Sequence, residues 1–134
     1  MESSDGNAKR VEYVRLYGDS AGESHFEDVE APLALVDLGP SNPSPPLYLS
    51  ALAPAARFAF VICPPGWTGD WHPVLQRQIF FQLAGETEFE VSDGEVRRFG
   101  PGSIMLEEAT SGKGYKGRSV GEAEVLIGVV QLPD

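Results

Sequence analysis

Apolar and polar residues alternate along this chain in short runs, with a period of two rather than 3.6. In ETEFEV, Glu86, Glu88 and Glu90 alternate with Thr87, Phe89 and Val91, which predicts a strand solvated on one face. Ser92-Asp93-Gly94 follows, and an Asp-Gly pair tolerates the positive φ of a tight hairpin turn. The same reading predicts strands at Val11–Tyr17, Arg57–Cys63, Arg77–Leu83, Glu86–Val91, Glu95–Phe99, Ser103–Glu107, Gly114–Ser119 and Ala123–Leu132. Short strands at a spacing of roughly ten residues imply one sandwich or barrel. No segment supports a helix of ordinary length. Residues 1–10 read as a flexible tail, and residues 11–134 as a single all-β domain.

Two stretches break the alternation. Gly18–Glu30, GDSAGESHFEDVE, is polar and acidic and reads as a loop carrying a solvated His25. Gly39–Pro46, GPSNPSPP, lies between the apolar runs Pro32–Asp37 and Leu47–Leu52. Proline supplies no ladder donor, so this is a surface loop and not a central strand.

Composition narrows the class. The chain of 134 residues is long enough for one hydrophobic core, and its 15 glycines and 11 prolines are the punctuation of a turn-rich β domain. Twenty acids against ten bases give a net charge of −10. Such a surface repels phosphate backbones and anionic lipids, so neither nucleic acid nor membrane is an expected partner. No apolar run approaches the roughly 18 residues of a membrane span, and MESSDGNAKR lacks the apolar core of a signal peptide. Cys63 is the only cysteine, so an internal disulfide and a cysteine-based zinc cluster are both excluded. It closes the run ARFAFVIC and reads as an inert core thiol. The expected setting is the cytoplasm.

The chemistry concentrates in GWTGDWHPVLQRQIFFQLAG, Gly66 to Gly85. Gly66-x5-His72-x-Val74-x3-Gln78-x6-Gly85 resembles the first cupin motif, G-x5-H-x-H-x3-E-x6-G. The segment SDGEVRRFGPGS resembles the stretch between the two cupin motifs, with the second opening at Gly102. The likeness runs from about Gly66 to Ser119. It implies a single-domain cupin: an antiparallel jelly-roll barrel of roughly six to eight strands. In that motif two imidazoles, a carboxylate and a later histidine hold iron, manganese, nickel or zinc. Here Val74 stands at the second histidine and Gln78 at the carboxylate, while Tyr115 lies nearest to the last histidine. The expectation is therefore no metal cofactor. If a metal were held, His72 and Gln78 would ligate it, with Glu107 or Glu108 as a further carboxylate.

Strand parity places Gln76, Gln78, Phe80 and Gln82 on the inner face with His72, where the amides need hydrogen-bond partners. Gln76 and Gln82 have a second reading, at the barrel mouth or in a dimer interface. The opposite face, Ile79, Phe81 and Leu83, suits packing on the other sheet or on a second subunit. His72 is the candidate general acid or base and Tyr115 the candidate proton donor or oxyanion holder. Trp67 and Trp71 either wall a pocket or cover a core edge, and Asp70 either orients His72 or is a solvated loop acid. Lys113, Lys116 and Arg118 either attract a carboxylate-bearing ligand or guard a strand edge.

Three functions fit these residues. The first is a metal-independent isomerase, cyclase or lyase acting on a small organic ligand through His72 and Tyr115. A metal-dependent oxygenase or isomerase with a depleted ligand shell is the second, and a non-catalytic binding or sensor module the third. A homodimer is expected, with Val11–Tyr17 and the apolar run Leu33–Leu38 covering an open sheet edge.

Overall fold

The computed structural model describes residues 9–134. Residues 1–8 of the tail lie outside the described residues, whereas Lys9 and Arg10 open the first strand. Eleven strands follow one another: β1 (Lys9–Gly18), β2 (Ser24–Val36), β3 (Leu47–Ser50), β4 (Arg57–Cys63), β5 (Thr68–His72), β6 (Gln78–Ala84), β7 (Glu86–Val91), β8 (Val96–Phe99), β9 (Ile104–Glu107), β10 (Tyr115–Val120) and β11 (Val125–Gln131). They form a seven-stranded sheet in the order β3-β2-β1-β9-β6-β11-β4 and a four-stranded sheet in the order β5-β10-β7-β8. The chain crosses between the sheets repeatedly, the connectivity of a jelly roll.

Three expectations change here. Gly18–Glu30 is not one loop: β2 begins at Ser24 and pairs along its length with β1. Its acids stay wet on the strand, and Arg10, Arg15 and Arg97 meet Glu30, Glu27 and Asp28 from neighbouring strands. Ser24 and Phe26 turn inward and are buried. Thr68–His72 lies in PPGWTGDWHP, which the sequence predicts as a loop, yet it is a strand because β10 supplies its ladder partners. The barrel is also not wholly antiparallel, since β1 runs parallel to β9. The chain thus uses more strands than a minimal barrel needs. Of the run Leu33–Leu38, Leu33 to Val36 belong to β2 and pair with β3 of the same chain.

The core lies between the sheets and is built on Leu16, Phe80, Phe89, Val91, Phe99, Met105, Val125 and Ile127. Burying each such side chain contributes about 1.5–3 kcal/mol. Phe89 is its hub, with ring centroids 5.8 Å from Phe80 and 5.5 Å from both Phe99 and Tyr115. These tilted and edge-on contacts suit the aromatic quadrupole. Gly117 of β10 makes room for that ring, because a Cβ there would overlap the Phe89 side chain. Phe81 and Leu83, on the other face of β6, are exposed rather than packed on the second sheet.

Candidate functional site

β6 and β9 pair so that Gln78 lies opposite Glu107, and β5 and β10 pair so that Tyr115 lies opposite His72. Four polar side chains from two sheets therefore meet at one end of the interior. The His72–Tyr115 approach depends on Gly114, whose φ is +70° and whose missing Cβ would collide with the His72 backbone. The rings of His72 and Tyr115 stand 5.1 Å apart. Between them and the core runs a cavity of about 190 Å³, also lined by Val61, Cys63, Trp67, Phe80 and Phe89.

Hydrogen bonds fix the chemical state of this end. Nδ1 of His72 lies 2.7 Å from the backbone carbonyl of Asp70. A carbonyl only accepts, so Nδ1 carries a proton, and the tautomer this selects has its lone pair on Nε2. Asp70 thus orients the imidazole through its main chain, while its carboxylate accepts from the amide of Trp71. The amide of Gln78 donates to Oε1 of Glu107 at 2.6 Å. Oε2 of the same carboxyl is buried and has no partner with hydrogen-bond geometry. Burial pushes the Glu107 carboxyl up from its usual range, against weaker opposing effects of Gln78, Tyr115 and His72. Burial, and then the neighbouring Glu107, likewise push the Tyr115 hydroxyl up, so it stays an O–H donor. Cys63 is buried and its thiol is pushed up as well, the state of an inert thiol.

The other candidates lie elsewhere. Gln82 points inward, but its amide donates to the carbonyls of Gly85 and Phe99 and accepts from Thr87, so its polar groups bind the fold itself. Gln76 precedes β6 and donates to the carbonyl of Leu132 at 2.6 Å. Trp71 faces outward under the ammonium of Lys116, 5.5 Å from its ring centre, whereas Trp67 lines the cavity. Lys113, Lys116 and Arg118 each sit beside an acid, Glu23, Glu90 and Glu88. They form no open basic patch. A wider groove of about 690 Å³ beside Arg97 and Asp28 is open and lined by paired ions. It holds no buried polar atom that lacks a partner.

Glu107 is the residue that the strand pattern marked least clearly. Its signal was parity: in IMLEE, Met105 and Glu107 share a face, and Met105 is fully buried. A glutamate on that face has to enter the interior.

Gly66 and Gly85, which open and close the first motif, have φ of +80° and +75°, a region that L side chains rarely adopt. The motif glycines thus turn the chain where the two-sheet roll requires it. The fold is a two-sheet jelly roll whose glycine spacing resembles that of the first cupin motif. It is similar to the cupin domain of Schizosaccharomyces pombe Cnp3, at 15% identity over 96% of this chain and 85% of that one, with a TM-score of 0.49. A Cupin 2 conserved barrel domain protein from Salinispora arenicola gives 17% identity, 77% and 76% coverage, and a TM-score of 0.48. The DMSP lyase DddQ from Ruegeria pomeroyi gives 26% identity over 57% of this chain and 38% of its own, with a TM-score of 0.46. No protein-family profile and no curated protein sequence matches the chain.

A metal of the cupin kind would find a poor donor set here. Val74, at the second histidine position, is buried in the core and has no donor atom. One imidazole nitrogen remains, beside a carboxyl already hydrogen-bonded to Gln78. Among the described residues no three His, Cys, Asp or Glu side chains are grouped to hold an ion. These residues do not fit a transition-metal shell. Among the described residues no helix is long and apolar enough to cross a membrane.

Proposed function

We propose that this cupin binds a small organic molecule in its barrel and transfers protons on it without a resident metal. The observation that carries this reading is Oε2 of Glu107, a buried polar atom without a partner at one end of an otherwise apolar cavity. A buried group left without a hydrogen bond costs about 1–3 kcal/mol, and a bound ligand would recover that loss. His72 stands at the rim, exposed, with Nε2 free to take a proton. Tyr115 supplies an O–H group from within, and the buried Glu107 carboxyl a second one when it holds its proton. General acid–base catalysis needs this pairing of one lone pair and one proton within reach of the same molecule.

Titration of the protein with fragments of fewer than about ten non-hydrogen atoms, followed by ligand-observed NMR, tests the reading. Saturable binding that is lost in Val129→Phe, which fills the cavity from β11, is expected. Absence of binding by every fragment, or binding unchanged in Val129→Phe, would refute it.

The same proposal includes a homodimer and a cytoplasmic setting. Phe58, Phe60 and Ile62 of the edge strand β4 are 74%, 72% and 57% exposed, and Phe81 and Leu83 continue that face. A second copy of the chain would cover it. The lone thiol of Cys63 suits a reducing compartment.

A further inference from the structure

We infer that the cavity is built for a neutral cyclic carbonyl compound, whose oxygen is held by hydrogen bonds from Glu107 and Tyr115 together. The inference rests on the proposed binding site and names what that site selects.

Oε1 of Glu107 is committed as an acceptor to the Gln78 amide. In the protonated carboxyl the hydrogen sits on Oε2, the oxygen without a protein partner in hydrogen-bond geometry. The Tyr115 hydroxyl couples to the same carboxyl and is also held in its O–H form. Two donors side by side match the two lone pairs of one carbonyl oxygen. A protonated carboxylic acid beside a tyrosine is a known arrangement for stabilising an enolate oxygen in ketosteroid isomerase. The likeness to that arrangement is chemical, not one of fold.

The walls settle charge and size. No lysine or arginine lines the cavity, so an anionic head would lose hydration without a counter-charge. An engineered cavity of about 150 Å³ accepts benzene, so about 190 Å³ suits a six-membered ring bearing one small substituent. Trp67, Phe80 and Phe89 supply the apolar side of such a ring's environment.

The reaction this arrangement supports is proton transfer at the carbon next to the carbonyl. Nε2 of His72 takes the proton as the C–H bond breaks. The electron pair moves into the C–C bond, and the carbonyl oxygen becomes an enolate oxygen held by the two O–H donors. In an unsaturated ketone His72 returns the proton to the far carbon of the conjugated dienolate, so the product is a double-bond isomer and no co-reactant is consumed.

Four probes of one ring size test the inference: cyclohexanone, methylenecyclohexane, cyclohexylamine and cyclohexanecarboxylate. Each is titrated into the full chain by ligand-observed NMR, and the carbonyl stretch of bound cyclohexanone is read by infrared difference spectroscopy. Cyclohexanone is expected to bind about tenfold more tightly than its oxygen-free isostere, the worth of one to two net hydrogen bonds. Its stretch should move to lower wavenumber, and by less in Tyr115→Phe. In Glu107→Met, a swap of similar volume, the preference should vanish while methylenecyclohexane still binds. Equal affinity for the ketone and the alkene would overturn the inference, as would an unshifted stretch. Tightest binding of cyclohexylamine would overturn it by showing Glu107 ionised, and tightest binding of the carboxylate would do so by showing an anion site, each leaving the pocket itself intact. Failure of all four to bind would remove the inference and the underlying binding-site reading together.

Discussion

Glu107 and Glu108 are neighbours in sequence and opposites in chemistry. The pleat turns Glu107 into the apolar interior, where burial raises its pKa. Glu108 turns outward; partial burial opposes its ionisation, but hydrogen bonds from Arg15 and Arg77 outweigh it and hold the carboxyl below the usual range. A raised folded-state pKa means that the native protein binds the proton more tightly than the unfolded chain. The stability contributed by Glu107 is therefore fully present below the unfolded carboxyl value of about 4.3 and declines as pH rises towards the folded value. Glu107→Gln keeps an acceptor for Gln78 and does not titrate. Its stability relative to wild type should rise above pH about 4.3, by up to about 1.4 kcal/mol per pH unit, when urea denaturation is followed across pH. A constant offset would show that Glu107 is ionised in the folded protein. Metal content is a second prediction at this scale. Elemental analysis of protein purified without chelator should find no stoichiometric transition metal, and near-equimolar iron, manganese, nickel or zinc lost on His72→Ala would contradict it. Side-chain parity made Gln78 and Phe80 legible as inward positions, and Glu107 shares the face of the buried Met105. Parity could not show that Gln82 spends its amide on Gly85, Phe99 and Thr87, because those partners lie across turns whose geometry the pattern does not contain.

Strands here are held by what crosses between them. His25 of β2 contacts Asp19 at 2.7 Å and Asp93 at 2.8 Å, tying the β1–β2 turn to the β7–β8 turn. The pattern of acids around His25 resembled a solvated loop because both partners come from turns, one of them far away in sequence. Hydrogen bonds that His25 donates to Asp19 and then to Asp93 raise its pKa. Its contribution is complete below the ordinary imidazole value of about 6.5 and is lost as pH rises through the raised folded value. The pKa of Asp19 is lowered chiefly by His25, and that of Asp93 by the Glu95 amide and then His25, so their share is lost as pH falls through the lowered values. His25→Gln should lower the melting temperature at pH about 5.5 and matter little at pH about 9; an equal drop at both would make the clamp a packing effect. Gly117→Ala tests the close approach of β10 to Phe89. Overpacking of this kind costs about 1–3 kcal/mol, and loss of less than about 0.5 kcal/mol in urea denaturation would mean that the ring moves aside freely.

At the scale of the molecule, most of the architecture was legible because the strands from Arg57 onward, β5 excepted, carry their own alternation and turn. Less legible was the joining of β1 to β9, a parallel pairing that no local pattern encodes. The apolar outer face is the second whole-molecule feature. Light scattering at micromolar concentration should give a dimer mass, and Phe60→Glu should give a monomer with the fold retained by circular dichroism. A monomer mass for the unaltered chain would remove the dimer. The edge position of β4 has one more consequence, for the order in which the protein is made. Its only ladder partner is β11, about sixty residues later in the chain. At about 5–20 residues per second, translation leaves RFAFVIC without that partner for roughly 3–12 s. Such a segment, apolar and β-prone, is what holdase chaperones bind on nascent chains, so stalling the ribosome before Val125 should leave this chain chaperone-bound and stalling well beyond Gln131 should release it.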